Sequence, residues 1–460
     1  MFRGSKLNYI ILLVLVATAC KKERSTVVLS DLNQWIMDSM KVYYYWNEKI
    51  PTDAVDQNTP TAFFNTLLSK EDRFSYIYDP DQLNTEYSSF AWYGFEYELL
   101  EMPYQSGGLT GIITLVVPGG PADLKGLKRG DYFLFVNNIP LTFSNIETVV
   151  HSIRSGNTLL LTTGIWQNNE WLTDKNIEIN SHRFSEPAVY ISNVFENGYT
   201  KAGYLFYNTF NASADQQLLS VISLLKQQNV NELILDMRYN PGGDVSSAAK
   251  LAAILCNVEG NDLFVIYRAN KNGGERRSSF EQTIRENNNS TASFSSLLPY
   301  RLHLKRVIIL VSERTASAAE LLINNMKPYI DVIVIGNSTM GKDMASFAIN
   351  DQRIPQQYFV VMHPLVFKLY NASYQGDYSR GIYPDYSIDE ITDLPLKQFG
   401  NTDDVLLKKA LEITGVVTIN QKHPLRKNIE LQKTSSVYIQ ELQKHSRRKV
   451  VPVAVKTIIP

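Results

Sequence analysis

The chain has 460 residues, of which 44% are hydrophobic and 20% charged, and its formal net charge is −1. That apolar content is ordinary for a globular protein, and the length suffices for two or three domains with at least one large core. A balance so close to neutral argues against a generally basic surface for nucleic acid.

The chain begins with an address. Arg3 and Lys6 precede "LNYIILLVLVATAC", an apolar run too short and too soon followed by charge for a membrane span, and it reads as an export signal over residues 1–19. Ala17, Thr18, Ala19 and Cys20 resemble the bacterial lipobox, whose cysteine becomes the lipidated first residue of the mature protein; "ATA" also fits ordinary small-x-small cleavage. The lipobox resemblance implies a lipid anchor at Cys20 and a place in the cell envelope of a Gram-negative bacterium, periplasmic or anchored to the outer membrane. Cys256 is then the one remaining cysteine, so no intramolecular disulfide is available, and its apolar neighbourhood "AAKLAAILC" suits a buried structural thiol.

Residues 20–88 form an anchor linker and a small helical domain, since "LNQWIMDSMKVYYYW" places Trp35, Met37, Met40 and Tyr44 near one face at helical spacing. From about Ser89 to residue 180, glycine-punctuated strands take over, including "GLTGIITLVV" and "DYFLFVNNIPL". Residues 181–415 then alternate strand and helix: "AGYLFYNTF", "ADQQLLSVISLLKQQ", "ELILDMR", a helix from Val245, "RVIILV", a helix from Ala316, and "DVIVIG". That alternation implies a largely parallel, covered sheet. The polar stretch between Asn270 and Lys305 interrupts it as a solvated insertion or lid. Residues 416–460 form a basic extension. From Gln421 to Pro460 nine Lys and Arg stand against Glu430 and Glu441, which suits either a solvated terminus or a surface contact.

Three motifs carry chemistry. "VVPGGPADLKGLKRGDYFLFVNNIPL", residues 116–141, is strand, turn, short helix, turn, strand, and it resembles a PDZ domain. Such domains capture a peptide C-terminus by strand addition. The resemblance places the carboxylate-binding loop at Tyr93, Gly94 and Phe95. "ELILDMRYNPGGDVSSAAKLA" runs a buried strand into Asn240-Pro241-Gly242-Gly243, which must turn sharply and expose N–H groups before a helix. "SERTASAAELL", residues 312–322, leaves another buried strand through small residues.

Together these segments resemble the tail-specific, or carboxyl-terminal processing, serine peptidases. "TASAAE" matches the nucleophile segment, "DMRYNPGGD" the turn before the oxyanion site, and Gly341-Lys342, 25 residues past Ser317, the base; "EDRFSYI" and "GIYPD" match further pieces. The resemblance covers residues 30–415. It implies a helical N-terminal domain, a PDZ domain and a crotonase- or Clp-protease-like α/β core. It implies Ser317 as nucleophile, Lys342 as base, N–H groups of Ala318 and of Gly242 or Gly243 at the oxyanion, and Asn240 as support. Its substrates would be polypeptides with accessible, apolar C-termini.

The chemistry is consistent with these residue types. A serine hydroxyl needs an adjacent base, and a lysine serves if burial lowers its pKa. None of the six histidines sits in a triad motif, and neither zinc-spaced histidines nor a P-loop is present, so no metal or other cofactor is implied. Glu320, one helical turn after Ser317, either positions the site or solvates the helix. Ser346 stands where many relatives place a glutamine that orients the lysine, so it is the candidate substitute partner. Asp343, beside the presumed base, would oppose it if it pointed inward. Ser312 and Thr315 read as turn or cap residues, and Asp236 with Arg238 as a structural ion pair. An alternative to the peptidase is a peptide-binding envelope protein or scaffold that keeps the PDZ groove without efficient chemistry.

Overall fold

The computed structural model describes residues 29–80, 88–102, 107–168, 170–286, 292–417, 431–433 and 440. The export signal and Cys20 lie outside the described residues, as does most of the basic extension.

The N-terminal unit consists of α1 (Asp31–Tyr43), α2 (Pro60–Thr66) and the short strand β1 (Tyr76–Tyr78). Ser30 caps α1 by accepting from the Asn33 N–H, and Thr59 caps α2 from Ala62. Ile36, Met37, Met40 and Tyr44 pack with Phe63 and Phe64, and this stripe continues onto Phe347, Ile349 and Met362 of the catalytic core. The helical face read from the sequence is therefore a docking face. Trp35 stands at its partly buried margin.

The PDZ unit contains α3 (Ser89–Tyr93), β2 (Phe95–Glu101), β3 (Leu109–Val116), α4 (Pro121–Leu124), β4 (Tyr132–Val136), β5 (Ile139–Pro140), α5 (Ile146–Arg154), β6 (Leu159–Gln167) and β7 (Glu170–Ile179). All pairings in this sheet are antiparallel. Pro121 begins α4, where its missing N–H costs nothing. At Gly111 a Cβ would lie 2.0 Å from the Phe133 ring, so glycine is what lets that ring fill the core.

In the catalytic core, β8 (Val189–Asn197) and β9 (Thr200–Tyr207) form a hairpin, followed by α6 (Asp215–Gln227), β10 (Glu232–Asp236) and α7 (Val245–Leu255). Next come β11 (Leu263–Arg268), β12 (Glu275–Ser279), α8 (Phe280–Arg285), α9 (Phe294–Leu297), β13 (Arg306–Val311), α10 (Ala318–Met326) and β14 (Asp331–Gly336). Finally β15 (Met344–Ser346), β16 (Val361–His363), β17 (Leu365–Tyr370), β18 (Tyr386–Ser387) and α11 (Val405–Thr414) close the core. Its main sheet has the order β18-β14-β13-β10-β9-β8, parallel except for β8. Buried side chains of α6, α7 and α10 cover one face; Leu406, Leu407, Ala410 and Leu411 of α11 cover the other. A second sheet, β12-β11-β17-β15, lies beside it, and β1 pairs antiparallel with β16. One further short strand, β19 (Gln432–Lys433), pairs with β2 of the PDZ sheet.

Two expectations need correction. The described part of the polar stretch after Asn270 is no solvated insertion: β12 completes a hairpin with β11, and Phe280, Ile284, Phe294 and Leu297 are buried in the main core. Apolar residues spaced thinly among Ser, Asn and Glu concealed it. The helix expected from Ala316 starts at Ala318, because Ser317 has φ 58° and cannot be helical.

Candidate active site

Ser317 is the N-cap of α10, at the end of a turn leaving β13. A positive φ is costly for a residue with a Cβ and persists only where the surroundings impose it. The surroundings are on either side. Ala316 N–H donates to the Asn240 carbonyl at 3.0 Å, and Met340 N–H donates to the Thr315 carbonyl at 3.0 Å. Ser312 Oγ donates to the Arg238 carbonyl and Thr315 Oγ1 to the Met237 carbonyl at 2.8 Å, so both residues brace the turn as the sequence indicated. Ser317 Oγ is buried and makes no hydrogen bond among the described residues.

The glycine turn lies directly against it. A Cβ on Gly242 (φ 100°) would meet Ser317 Cβ at 2.6 Å and Ala318 N at 2.8 Å. Asn240 braces this turn, donating from Nδ2 to the Tyr207 carbonyl at 2.9 Å and accepting at Oδ1 from Gly242 N–H at 2.8 Å. That second bond corrects one expectation: the Gly242 N–H is committed to Asn240. The bridge between Gly243 and Phe210 uses the Gly242 carbonyl and the Asp244 N–H, leaving the Gly243 N–H out of it. Ala318, as the first helical residue, also has an N–H with no intrahelical acceptor.

Glu320 joins the nucleophile segment to the Gly341-Lys342 segment. Its Oε2 accepts from Ser317 N–H at 2.9 Å and from Lys342 N–H at 2.8 Å; its Oε1 accepts from Gly341 N–H at 2.6 Å and from Thr339 Oγ1. The backbone nitrogens of Ser317 and Lys342 therefore lie no farther apart than the sum of their distances to one oxygen. Burial pushes the Glu320 carboxyl up to about 7, although the four donated hydrogen bonds pull it down.

Lys342 is buried, and desolvation pushes its ammonium down to about 8 against the opposing attraction of Glu320 and Asp72. Its Nζ lies 5.6 Å from the centre of the Phe74 ring. Asp343 points away toward Lys368, 3.7 Å from Nζ. Ser346 is buried on β15, where its backbone is paired with Leu365.

The N-terminal unit supplies residues that sequence reasoning left without a role. Arg73 reaches the base loop, its Nη2 donating to the carbonyls of Gly341 at 3.0 Å and Ser379 at 2.7 Å. Asp72 accepts from the Phe74 and Ser75 N–H groups at 2.9 Å each, fixing the turn that carries Phe74. His363 was also missed. Burial, with a smaller contribution from the Lys342 charge, holds its imidazole down at about 4, and it stacks on Tyr76 with ring centres 4.8 Å apart. "EDRFSYI" was the available signal for Asp72, Arg73 and Phe74; nothing local marked His363.

On the PDZ unit, Gly94 (φ 74°) ends α3 and turns the chain into β2. The Tyr93 and Phe95 side chains are buried in the PDZ core, Tyr93 Oη donating to the Asn157 carbonyl at 2.7 Å, so only their backbones could meet a ligand.

Comparison with known proteins identifies three segments of the chain. Residues 201–388 match the model of peptidase family S41, residues 31–76 its N-terminal domain, and residues 112–163 a PDZ domain. The chain belongs to peptidase family S41. A solved S41 protease structure from Bacteroides fragilis NCTC 9343 superimposes with a TM-score of 0.69 at 26% identity, over 83% of this chain and 97% of that one. A carboxyl-terminal-processing protease of Picosynechococcus is 24% identical over 50% of each chain. The chloroplastic carboxyl-terminal-processing peptidase 1 of Arabidopsis thaliana is 25% identical over 61% of this chain and 53% of its own. The chain thus spans about half the length of the curated relatives it matches. The multidomain α/β architecture is that of S41 proteases.

Proposed function

We propose that this S41 chain is an exported serine endopeptidase that captures protein C-termini on its PDZ unit and cleaves them with Ser317 and Lys342. The observation that carries this reading is the shared Glu320 oxygen, which keeps the backbones of the two residues together. The depressed Lys342 pKa supports its role as base.

In this mechanism neutral Lys342 Nζ takes the Ser317 hydroxyl proton as Oγ attacks the scissile carbonyl. The N–H groups of Ala318 and Gly243 hold the resulting oxyanion. The lysine ammonium then protonates the leaving amine, the peptide C–N bond breaks, and an acyl-serine remains. Water attacks it, giving a proton to Lys342; the acyl carbon–Oγ bond then breaks, the lysine ammonium returns that proton to Ser317 Oγ, and the acid product leaves. Ser346 is the proposed polar support of the lysine. The lipobox cysteine Cys20 supports an envelope location with an acyl anchor in a Gram-negative bacterium.

Treatment with a fluorophosphonate probe tests the nucleophile. One adduct on Ser317, absent in Lys342→Ala, is the expected result; no adduct over the pH range 6 to 10 would overturn the assignment (roughly the span in which a perturbed lysine titrates).

A further inference from the structure

The PDZ sheet has the order β19-β2-β3-β4-β6-β7, so β2 would be an open edge but for β19. An open strand edge is what a peptide ligand uses for strand addition. Here that edge is taken by the chain itself: Gln432 pairs with Glu101 and Lys433 with Leu100, antiparallel.

The polarity of this pairing bears on function. A peptide whose C-terminus rests at the Gly94 turn, antiparallel to β2, runs from the Glu101 end toward Phe95. β19 runs the same way, since its register moves from Glu101 to Leu100. At one residue per strand position, a bound peptide would bring residues about five or six from its C-terminus opposite Leu100 and Glu101. β19 therefore stands in the upstream part of the ligand path.

Two further contacts hold it there. Leu431 packs into a cluster with Leu100, Ile112 and Tyr132 of the PDZ unit and Leu396 of the core. Lys433 Nζ lies 2.6 Å from Asp389 Oδ2, next to Glu390, whose carboxylate binds both Arg129 of the PDZ unit and Arg238 of the core. The strand thus crosses the junction between the two units and grips both.

We propose that residues 431–433 are a built-in occupant of the PDZ peptide edge, competing with the C-terminal segment of a substrate and restraining its capture until displaced. This rests on the reading of the PDZ unit as a C-terminus binder.

Two readouts separate the proposals. The chain from Lys21 onward is compared with Leu431→Asp, Lys433→Glu, a chain ending at Glu430, and Lys433→Glu with Asp389→Lys. Hydrogen exchange over residues 95–101 reads the occupant without any ligand. Anisotropy with a labelled ten-residue peptide ending in apolar residues, long enough to reach Leu100 and Glu101, reads competition.

Met102 N–H donates to Gly108 on the β3 side, so by strand alternation the Glu101 N–H faces β19; loss of protection at Glu101 in the first three variants is expected, with recovery in the charge-swapped pair. Peptide affinity should rise in parallel, about tenfold if the strand is seated nine-tenths of the time. Unchanged protection in all variants would overturn the proposal, as would lost protection with unchanged peptide affinity. If protection falls and the peptide binds no form, the strand stands as occupant of the edge and the C-terminus-capture reading fails instead.

Discussion

Arg314, three residues before Ser317, donates from Nη2 to Glu98 of the PDZ strand β2 at 3.0 Å. Its Nη1 pairs with Glu96 of the same strand, and all three side chains are buried. Burial works against the guanidinium charge, but Glu96, Tyr239 and Glu98 outweigh it and its pKa is raised. The segment that carries the nucleophile is thereby tied to the strand that would receive a peptide.

Removing one partner of a buried ion pair leaves the other uncompensated, at a cost of about 3–5 kcal/mol. Arg314→Met should therefore lower the denaturant midpoint substantially, whereas Arg314 with Glu96 and Glu98 all made apolar should recover much of it. Arg314→Lys keeps the charge but loses the two-pronged geometry, and should reduce cleavage more than it reduces stability.

The Lys342 pKa sets a pH dependence. The base acts when neutral, so the rate should rise through about pH 8. Phe74→Ser admits water to the ammonium and should move that limb to higher pH. The stability sign is opposite to that of a lysine whose pKa is raised by an ion pair. The folded pKa lies below the unfolded value of 10.5, so the folding penalty is fully present below about 8 and disappears above 10.5. Lys342→Met should be inactive yet more stable than the parent at pH 7, with the gain shrinking as the pH rises from about 8 to 10.5, as read by thermal melts across pH.

Gly242→Ala places a methyl group 2.6 Å from Ser317 Cβ at a φ of 100°. A displacement of about 1 Å at the nucleophile costs about 100-fold in rate. The expected result is a kcat loss of at least that size, measured on a fluorogenic peptide, with the fold retained by circular dichroism.

Arg73→Ala removes the donors that hold the Gly341 and Ser379 carbonyls from the N-terminal unit. Its effect should fall on kcat and on the pH midpoint, because the Lys342 loop loosens, with little change in peptide affinity. An effect confined to affinity would place Arg73 in substrate binding instead.

Much of this architecture is legible from spacing. The parallel strands announce themselves as runs such as "RVIILV", and the three loops of the site carry glycine or small residues that their close approach requires. The Cys256 thiol, pushed up to about 12 by burial, is the inert core group its neighbours suggested. What spacing does not carry is conformation imposed by distant contacts. The positive φ of Ser317 arises from bonds to Asn240 and Glu320, and the isolated residue gives no sign of it. His363 meets Tyr76 through the pairing of β1 with β16, strands that lie far apart in the sequence. β19 is a two-residue strand in a polar stretch, created by the edge it meets rather than by alternation of its own.

The most direct measurement is cleavage of an unfolded reporter carrying an apolar C-terminal tail, by the chain from Lys21 onward and by its Ser317→Ala and Lys342→Ala variants. The account predicts cleavage by the parent and losses of about 10⁴-fold or more in both variants, with circular dichroism unchanged. A parent protein that binds the tail but leaves it intact across pH 7 to 10 (roughly the range over which a buried lysine becomes neutral) would contradict it, as would undiminished cleavage by Ser317→Ala.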